Sequence, residues 1–138
     1  MSVGPGRLLG VDPGTRRIGI AMSDELGMIA TPVEVIQRRS LERDLERIRT
    51  IARERGADRV IVGWPISLDG HAGPAAILAE KFAAQISESL ECPVELWDER
   101  LSTVEARQYQ SRRDRRRGAP IDAHAAAVML QHYLDAHR

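Results

Sequence analysis

An acidic residue at the end of an apolar run near the start of the chain is the feature that most constrains the fold. The run is Leu8-Leu9-Gly10-Val11, and Asp12-Pro13-Gly14-Thr15 follows it directly. An apolar run without alternation that ends at a Pro-Gly turn is typical of a strand buried on both faces. A carboxylate at such a strand end costs free energy unless it is paired or holds a metal ion. Asp12 therefore either caps the turn or takes part in chemistry, and at this point both interpretations stay open.

Length and composition narrow the class of protein. The 138 residues suit a single domain spanning residues 1–138, long enough to bury its own core. No apolar stretch approaches the length of a membrane span, and the first residues lack the regions of a signal peptide. One cysteine, Cys92, fits a reducing compartment. We therefore expect a cytoplasmic protein without membrane contact. Because 20 basic and 20 acidic side chains balance, net charge alone does not demand a nucleic-acid partner.

Strand and helix patterns alternate along the chain. Four further strands are predicted at Ile18–Met22, at roughly 28–36, at Arg59–Gly63 and at Pro93–Asp98, and Pro32 indicates an edge strand or a bulge. Helices are predicted after Ser40, from Pro74, after the capping box Ser102/Glu105 and from about Asp122 to Ala136. The second of these helices carries an expected apolar stripe of Ile77, Leu78, Phe82, Ile86 and Leu90. This order predicts an α/β layer sandwich whose later strands run parallel.

Carboxylates are the candidates for chemistry. Asp12 ends the first strand, Asp98 and Glu99 end the fifth, and Asp122 opens the last helix. Since parallel strands end at the same edge of a sheet, Asp12 and Asp98 can converge, and carboxylates that converge favour a divalent cation between them. The alternative is structural: Asp98 pairs with Arg100, and Asp122 caps its helix. The four histidines are scattered, and no Cys/His spacing suits zinc.

Basic residues concentrate shortly before the last helix. Five arginines occur within six residues: Arg112, Arg113, Arg115, Arg116 and Arg117. Such a run is typical of a solvated loop, and it also suits phosphate groups, which match the guanidinium fork.

Four ordered blocks of sequence together resemble the RuvX family, also called YqgF. The blocks are Gly10–Gly19, Val62–Pro65 with Asp69-Gly70 and Gly73-Pro74, Asp98–Ala106, and Ile121–Ala127 with Leu130–Leu134. The resemblance implies an α/β fold of the RNase H-like type. Its central mixed five-stranded sheet would have the order 3-2-1-4-5, with strand 2 antiparallel and helices flanking it.

The resemblance also implies an activity, a hydrolase that cleaves phosphodiesters. The leading expectation is a metal-dependent nuclease that processes the 5′ end of pre-16S rRNA; the alternatives are a Holliday junction resolvase and a non-catalytic ribosome maturation factor. Mg²⁺ or Mn²⁺, as two ions, would be held by Asp12, Asp98 and Asp122, with Glu99 as the alternative acid. The partner would be structured RNA or branched DNA, and the protein a monomer or homodimer. The expected nucleic-acid contacts are Arg16, Arg17, Arg100, Arg112, Arg113, Arg115, Arg116 and Arg117.

The fourth strand departs from the wider RNase H-like pattern. Relatives such as the resolvase RuvC carry a Glu on this strand, whereas Arg59–Pro65 contains no acid. The resemblance implies that the second metal-binding acid lies on the fifth strand instead, where we favour Asp98 because it comes first at the strand end. A phosphotransferase of the sugar-kinase type also holds nucleotide phosphates at such a first-strand turn, but this chain is too short for its two-domain cleft.

Overall fold

The computed structural model of the chain describes residues 6–67, 69–99 and 121–138. The helix predicted after Ser102 and the arginines at 100 and 112–117 therefore lie outside the described residues. Asp122 is described by its backbone alone.

A five-stranded mixed sheet forms the centre of the fold. Its strands are β1 (Leu8–Pro13), β2 (Arg17–Ser23), β3 (Ala30–Gln37), β4 (Arg59–Trp64) and β5 (Val94–Asp98). Their order is β3-β2-β1-β4-β5, with β2 antiparallel to both neighbours and β1, β4 and β5 mutually parallel. This confirms the predicted order. Pro32 lies on an edge strand, next to a shift in the β2–β3 register, as expected of a residue that cannot donate to the ladder.

Three described helices cover the two faces of the sheet. They are α1 (Leu41–Glu54), α2 (Pro74–Ser89) and α3 (Ile121–Ala136). One apolar cluster packs α1 and α2 against one face, and a second packs α3 against the other. β1 supplies both clusters, because Leu9 and Val11 face α1 and α2 whereas Leu8 faces α3.

The stripe predicted for α2 is partly wrong. Ile77 is 46% exposed, whereas Ala76, Ala79 and Ala83 are buried beside Phe82 and Ile86. The helix buries a seam of small residues, which brings its backbone close to the sheet and turns Ile77 outward. The sequence prediction ranked residues by hydrophobicity alone, and it therefore placed Ile77 rather than the alanines on the buried face.

Gly10 allows α3 to lie close to β1. A Cβ atom added to Gly10 would be 3.0 Å from the Leu130 Cβ atom and 3.4 Å from the Ala126 carbonyl oxygen. Because the contact with the Leu130 Cβ atom is tighter than side chains normally make, Gly10→Ala should lower the free energy of unfolding by about 1–3 kcal/mol, the usual cost of overpacking. Urea denaturation measures this change, and a midpoint equal to that of the parent would contradict the close packing.

Within the described segments, none of the helices is long and apolar enough to cross a bilayer.

Candidate active site

Asp12 stands at the carboxyl edge of the sheet on the face that α3 covers. Gly10 faces Leu130 of α3, and side chains two residues apart on a strand point to the same face. β1 continues to Pro13, so Asp12 follows Gly10 on the α3 face. The β1–β4 register pairs Val11 with Val62, which sets Asp12 beside Gly63 on the neighbouring strand, at a spacing of roughly 4.8 Å.

Glu99 brings a second carboxylate to this place. A Cβ atom added to Gly63 would be 3.1 Å from the Glu99 Oε1 atom and 3.5 Å from the Met129 Cγ atom of α3. The Glu99 carboxylate therefore lies over Gly63, on the α3 face, one strand away from Asp12. The missing side chain of Gly63 provides the space that this carboxylate occupies.

Asp98 belongs to the opposite face. Its register partner on β4 is Trp64, and register partners on parallel strands point the same way. The Trp64 indole Nε1 donates to Glu80 of α2 at 3.0 Å, which identifies this face as the one covered by α2. Trp97 points the other way and packs edge-on against Tyr133 of α3, with ring centroids 5.3 Å apart. The geometry therefore favours Glu99, the alternative acid, over Asp98 as the partner of Asp12.

The backbone of α3 directs its first turn toward the same edge. Ala126 approaches Gly10, and Met129 approaches the position beside Gly63. Asp122 lies four residues before Ala126 and seven before Met129, so its position belongs to the same helical stripe, one to two turns nearer the helix start. β1 and α3 run in opposite directions here, so the helix start approaches the strand end that carries Asp12.

Burial sets the electrostatics of Asp12. Its side chain is half-buried, and burial raises the pKa of its carboxyl group above the ordinary value. Among the described residues, none donates a hydrogen bond or forms an ion pair with this carboxylate. The turn-capping interpretation of Asp12 consequently has no support, since the hydrogen bond that closes the turn is the one from the Gly14 amide to the Arg17 carbonyl, at 2.9 Å.

The donor chemistry fits a hard divalent cation. Asp12 and Glu99 bring two carboxylates to the α3 face at this edge of the sheet, and Asp12 is partly desolvated. Carboxylate oxygens are the ligands that Mg²⁺ or Mn²⁺ prefers. Across residues 6–67, 69–99 and 121–138, no group of three or more His, Cys, Asp or Glu side chains could hold a metal ion. The described site therefore supplies two acids, and a third would have to come from a side chain that is not described, such as that of Asp122.

Sequence reasoning missed Arg38 and Asp44, which support the turn after Asp12. The Arg38 guanidinium donates to the Gly14 carbonyl at 3.0 Å and to the Asp44 Oδ2 atom at 3.3 Å, and it lies over the Phe82 ring at 5.0 Å. The Arg38 amide also donates to the Arg16 carbonyl at 2.9 Å. Arg38 therefore joins the β1–β2 turn to the start of α1. An Arg-Arg-Ser sequence before a helix is typical of solvated surface, and only the tertiary contacts of Arg38 show its role.

The fold is similar to those of two solved proteins that act on Holliday junctions. RuvC from T. thermophilus, solved in complex with a Holliday junction substrate, matches with a TM-score of 0.63 at 15% identity, covering 96% of each chain. The fowlpox virus Holliday junction resolvase matches with a TM-score of 0.59 at 13% identity, covering 96% of this chain and 99% of its own. At such low identity these matches establish the fold. The fold is therefore of the RNase H-like type.

Sequence comparison identifies the family within this class. The chain belongs to the RuvX family, described as Holliday junction resolvase, whose profile matches residues 6–136. A relative from Geobacillus kaustophilus is 45% identical over 137 residues, covering 96% of this chain and 99% of its own. Another from Symbiobacterium thermophilum is 48% identical over 133 residues, covering 94% and 92%. Both carry the name "Putative pre-16S rRNA nuclease".

Proposed function

We propose that this chain is a divalent-metal-dependent nuclease that trims the 5′ end of pre-16S rRNA in the cytoplasm. One observation carries the proposal: the carboxylates of Asp12 and Glu99 share the α3 face at the carboxyl edge of the sheet, and Asp12 is partly desolvated there. The names of the relatives support pre-16S rRNA as the substrate.

We assign Asp12, Glu99 and Asp122 as the residues that hold the metal. Two divalent ions, Mg²⁺ or Mn²⁺, would supply Lewis-acid activation of water and stabilisation of the leaving oxygen in phosphodiester hydrolysis. Asp12 must lose its proton before it binds a cation, and its raised pKa makes this step sensitive to acid. Asp98, on the other face, stays a candidate for a structural role.

Arginines around this edge would hold the phosphate backbone. Arg16 lies on the β1–β2 turn that follows Asp12, Arg17 begins β2, and both are exposed. Arg100 follows Glu99 in the chain, and the arginine run 112–117 precedes α3 by a few residues. Arg16 and Arg17 lie at the edge that carries the acids, and the other arginines are neighbours in sequence of Glu99 or α3. Phosphate-backbone contacts of this kind hold substrate without reading its sequence.

The substrate is tested by parallel cleavage of labelled precursor rRNA and of a four-way DNA junction, each with Mg²⁺, Mn²⁺ or EDTA. We expect metal-dependent cleavage of the RNA near its 5′ end. The description of the matching family favours a second function, resolution of four-way DNA, which requires two active sites and hence a dimer. Junction cleavage without RNA cleavage would favour the resolvase. Binding of RNA without cleavage of either substrate would make the protein a non-catalytic maturation factor.

Gly63 offers a direct test of the metal site. In Gly63→Ala the added methyl group would lie 3.1 Å from the Glu99 Oε1 atom, so the carboxylate must move by a few tenths of an ångström. Displaced metal ligands typically lose 10–100-fold in affinity, and we expect Mn²⁺ binding to weaken on the order of 10-fold in calorimetric titration. Gly73→Ala is the matched control, because a Cβ atom there meets nothing within 4 Å. Equal Mn²⁺ affinity in the two variants would place the metal away from Glu99.

A further inference from the structure

A group of exposed arginines lies beside the candidate site, on the side of the sheet away from α3. β3 and β1 are both antiparallel to β2, so they end at the same edge, and α1 begins there, directly after β3. The Arg38 amide bonds the Arg16 carbonyl at 2.9 Å, which joins the β1–β2 turn to the start of α1. Arg16, Arg39 and Arg43 are exposed at this junction, and we name them the arginine ridge.

The charge of the arginine ridge is largely uncompensated. Among the residues that the structure describes, no carboxylate forms an ion pair with Arg16, Arg39 or Arg43. Asp44, which is close in sequence, is only 3% exposed, and its carboxylate accepts from Arg38 Nε and from the Arg39 amide, both at 3.3 Å. Glu42 is the exposed carboxylate between Arg39 and Arg43. The segments 14–17 and 38–44 together hold five arginines against these two acids.

The ridge is also held in place, unlike most charged surface segments. The Ser40 side chain caps α1 by accepting from the Arg43 amide at 3.2 Å, and Arg38 is fixed between the Gly14 carbonyl and Asp44. Ordered backbone therefore presents long, unpaired guanidinium groups at the edge that carries Asp12. Guanidinium groups bind phosphate oxygens in a bidentate way, and their affinity for a polyanion rises as counterions are released.

We propose that the arginine ridge is a second phosphate-backbone surface, which binds a base-paired strand of the RNA substrate beside the acid site. This inference rests on the proposed nuclease function and assigns Arg39 and Arg43 to it. The acid site lies on the α3 face of the sheet, whereas the ridge is attached to α1, on the other face. Substrate lying across the sheet edge contacts both, which suits a duplex better than a single extended strand.

The test measures binding without cleavage. A short RNA duplex is titrated in EDTA with the parent protein and with the double variant Arg39→Ser/Arg43→Ser, over salt from about 50 to 200 mM. We expect the slope of log affinity against log salt to fall by about two units and the affinity at low salt to fall roughly 10-fold, as for the loss of two phosphate contacts. Arg39→Lys/Arg43→Lys, which keeps the charge, should retain the salt slope.

The matched control lies at the other end of the same helix. Arg53→Ser/Arg55→Ser removes the same charge from exposed positions, about 15 Å along α1 from Arg43. It should leave the salt slope near that of the parent. If both double variants lost the same amount of affinity and salt slope, the loss would reflect net charge alone, and the proposal would be overturned.

Two further comparisons separate the remaining possibilities. A DNA duplex of the same sequence should show an equal or smaller loss, and a loss confined to DNA would overturn the assignment to RNA. Polyglutamate serves as the probe for an acidic protein partner, and a ridge variant that loses only polyglutamate binding would likewise overturn it. Binding is measured in EDTA and so does not depend on cleavage. If the parent protein bound duplex RNA but did not cleave it with metal present, the proposed nuclease function would be wrong, whereas the proposal for the arginine ridge would still hold.

Discussion

Replacing Asp12 by Asn should abolish metal-dependent cleavage while leaving the metal-free protein at least as stable as the parent. The substitution keeps the shape of the side chain and removes the charge that we assign to metal binding. Loss of one key electrostatic group in an active site typically costs 10²–10³-fold in rate, and we expect a loss on the order of 10²-fold or more. Asp135→Asn is the control, because Asp135 is an exposed carboxylate near the far end of α3.

The stability of the metal-free protein follows from the direction of the pKa shift. Burial raises the pKa of Asp12 in the folded state, so folded protein holds this proton more tightly than unfolded protein does. Below the pKa that Asp12 has in the unfolded protein, this effect costs no stability. The cost grows as the pH rises from that value to the pKa in the folded protein, and it is complete above the folded-state pKa. Asp12→Asn has no such titration. In urea unfolding in EDTA, the free energy of unfolding of the variant relative to that of the parent should therefore increase as the pH rises from acid to neutral.

Metal should reverse this order of stability. A ligand that binds only the folded protein stabilises it by about 2.7 kcal/mol at a concentration 100 times its Kd. Saturating Mn²⁺ should raise the unfolding midpoint of the parent and leave that of Asp12→Asn nearly unchanged. Equal stabilisation of both proteins by Mn²⁺, or near-normal cleavage by the variant, would remove Asp12 from the site.

The sheet was predictable because its strands carry local signals that tertiary contacts reinforce. Leu8–Val11 and Arg59–Gly63 are apolar without alternation, which is the pattern of strands covered on both faces. Pro32 marked the edge because proline cannot pair on both sides. The buried seam of α2 was less visible, since Ala76 and Ala79 gain burial through close backbone approach, which hydrophobicity does not encode.

The candidate site was only partly predictable, for a related reason. Asp12 stood out because a carboxylate ended a buried strand. Arg38 and Asp44 gave no comparable signal, since Arg38 acts through contacts to Gly14 and Phe82, remote in sequence, and Asp44 acts by pairing with Arg38. The choice between Asp98 and Glu99 depended on which face each occupies, and the sequence contains no marker of this. The position of the Glu99 Oε1 atom over Gly63, on the α3 face, is what favours Glu99 in our proposal, and a contact of this kind is visible only in the folded chain.

Loss of charge should reduce cleavage strongly at one of the two acids that end β5 and only slightly at the other. Glu99→Gln removes a carboxylate charge from above Gly63, beside Asp12, and we expect metal-dependent cleavage to fall on the order of 10²-fold. Asp98→Asn changes the α2 face, next to Trp64, and we expect cleavage within a few-fold of the parent. Both substitutions remove one negative charge and keep the shape of the side chain, so each is the control for the other.

Mn²⁺ titration makes the distinction independent of the substrate. Glu99→Gln should weaken Mn²⁺ binding, and Gly63→Ala combined with Glu99→Gln should weaken it little further, because the glycine acts through the carboxylate that is already lost. Asp98→Asn should retain the affinity of the parent, and Gly63→Ala should weaken binding in that background as it does in the parent. Loss of Mn²⁺ binding in Asp98→Asn with normal binding in Glu99→Gln would contradict the assignment. It would require the end of β5 to turn its other face toward α3 when metal binds.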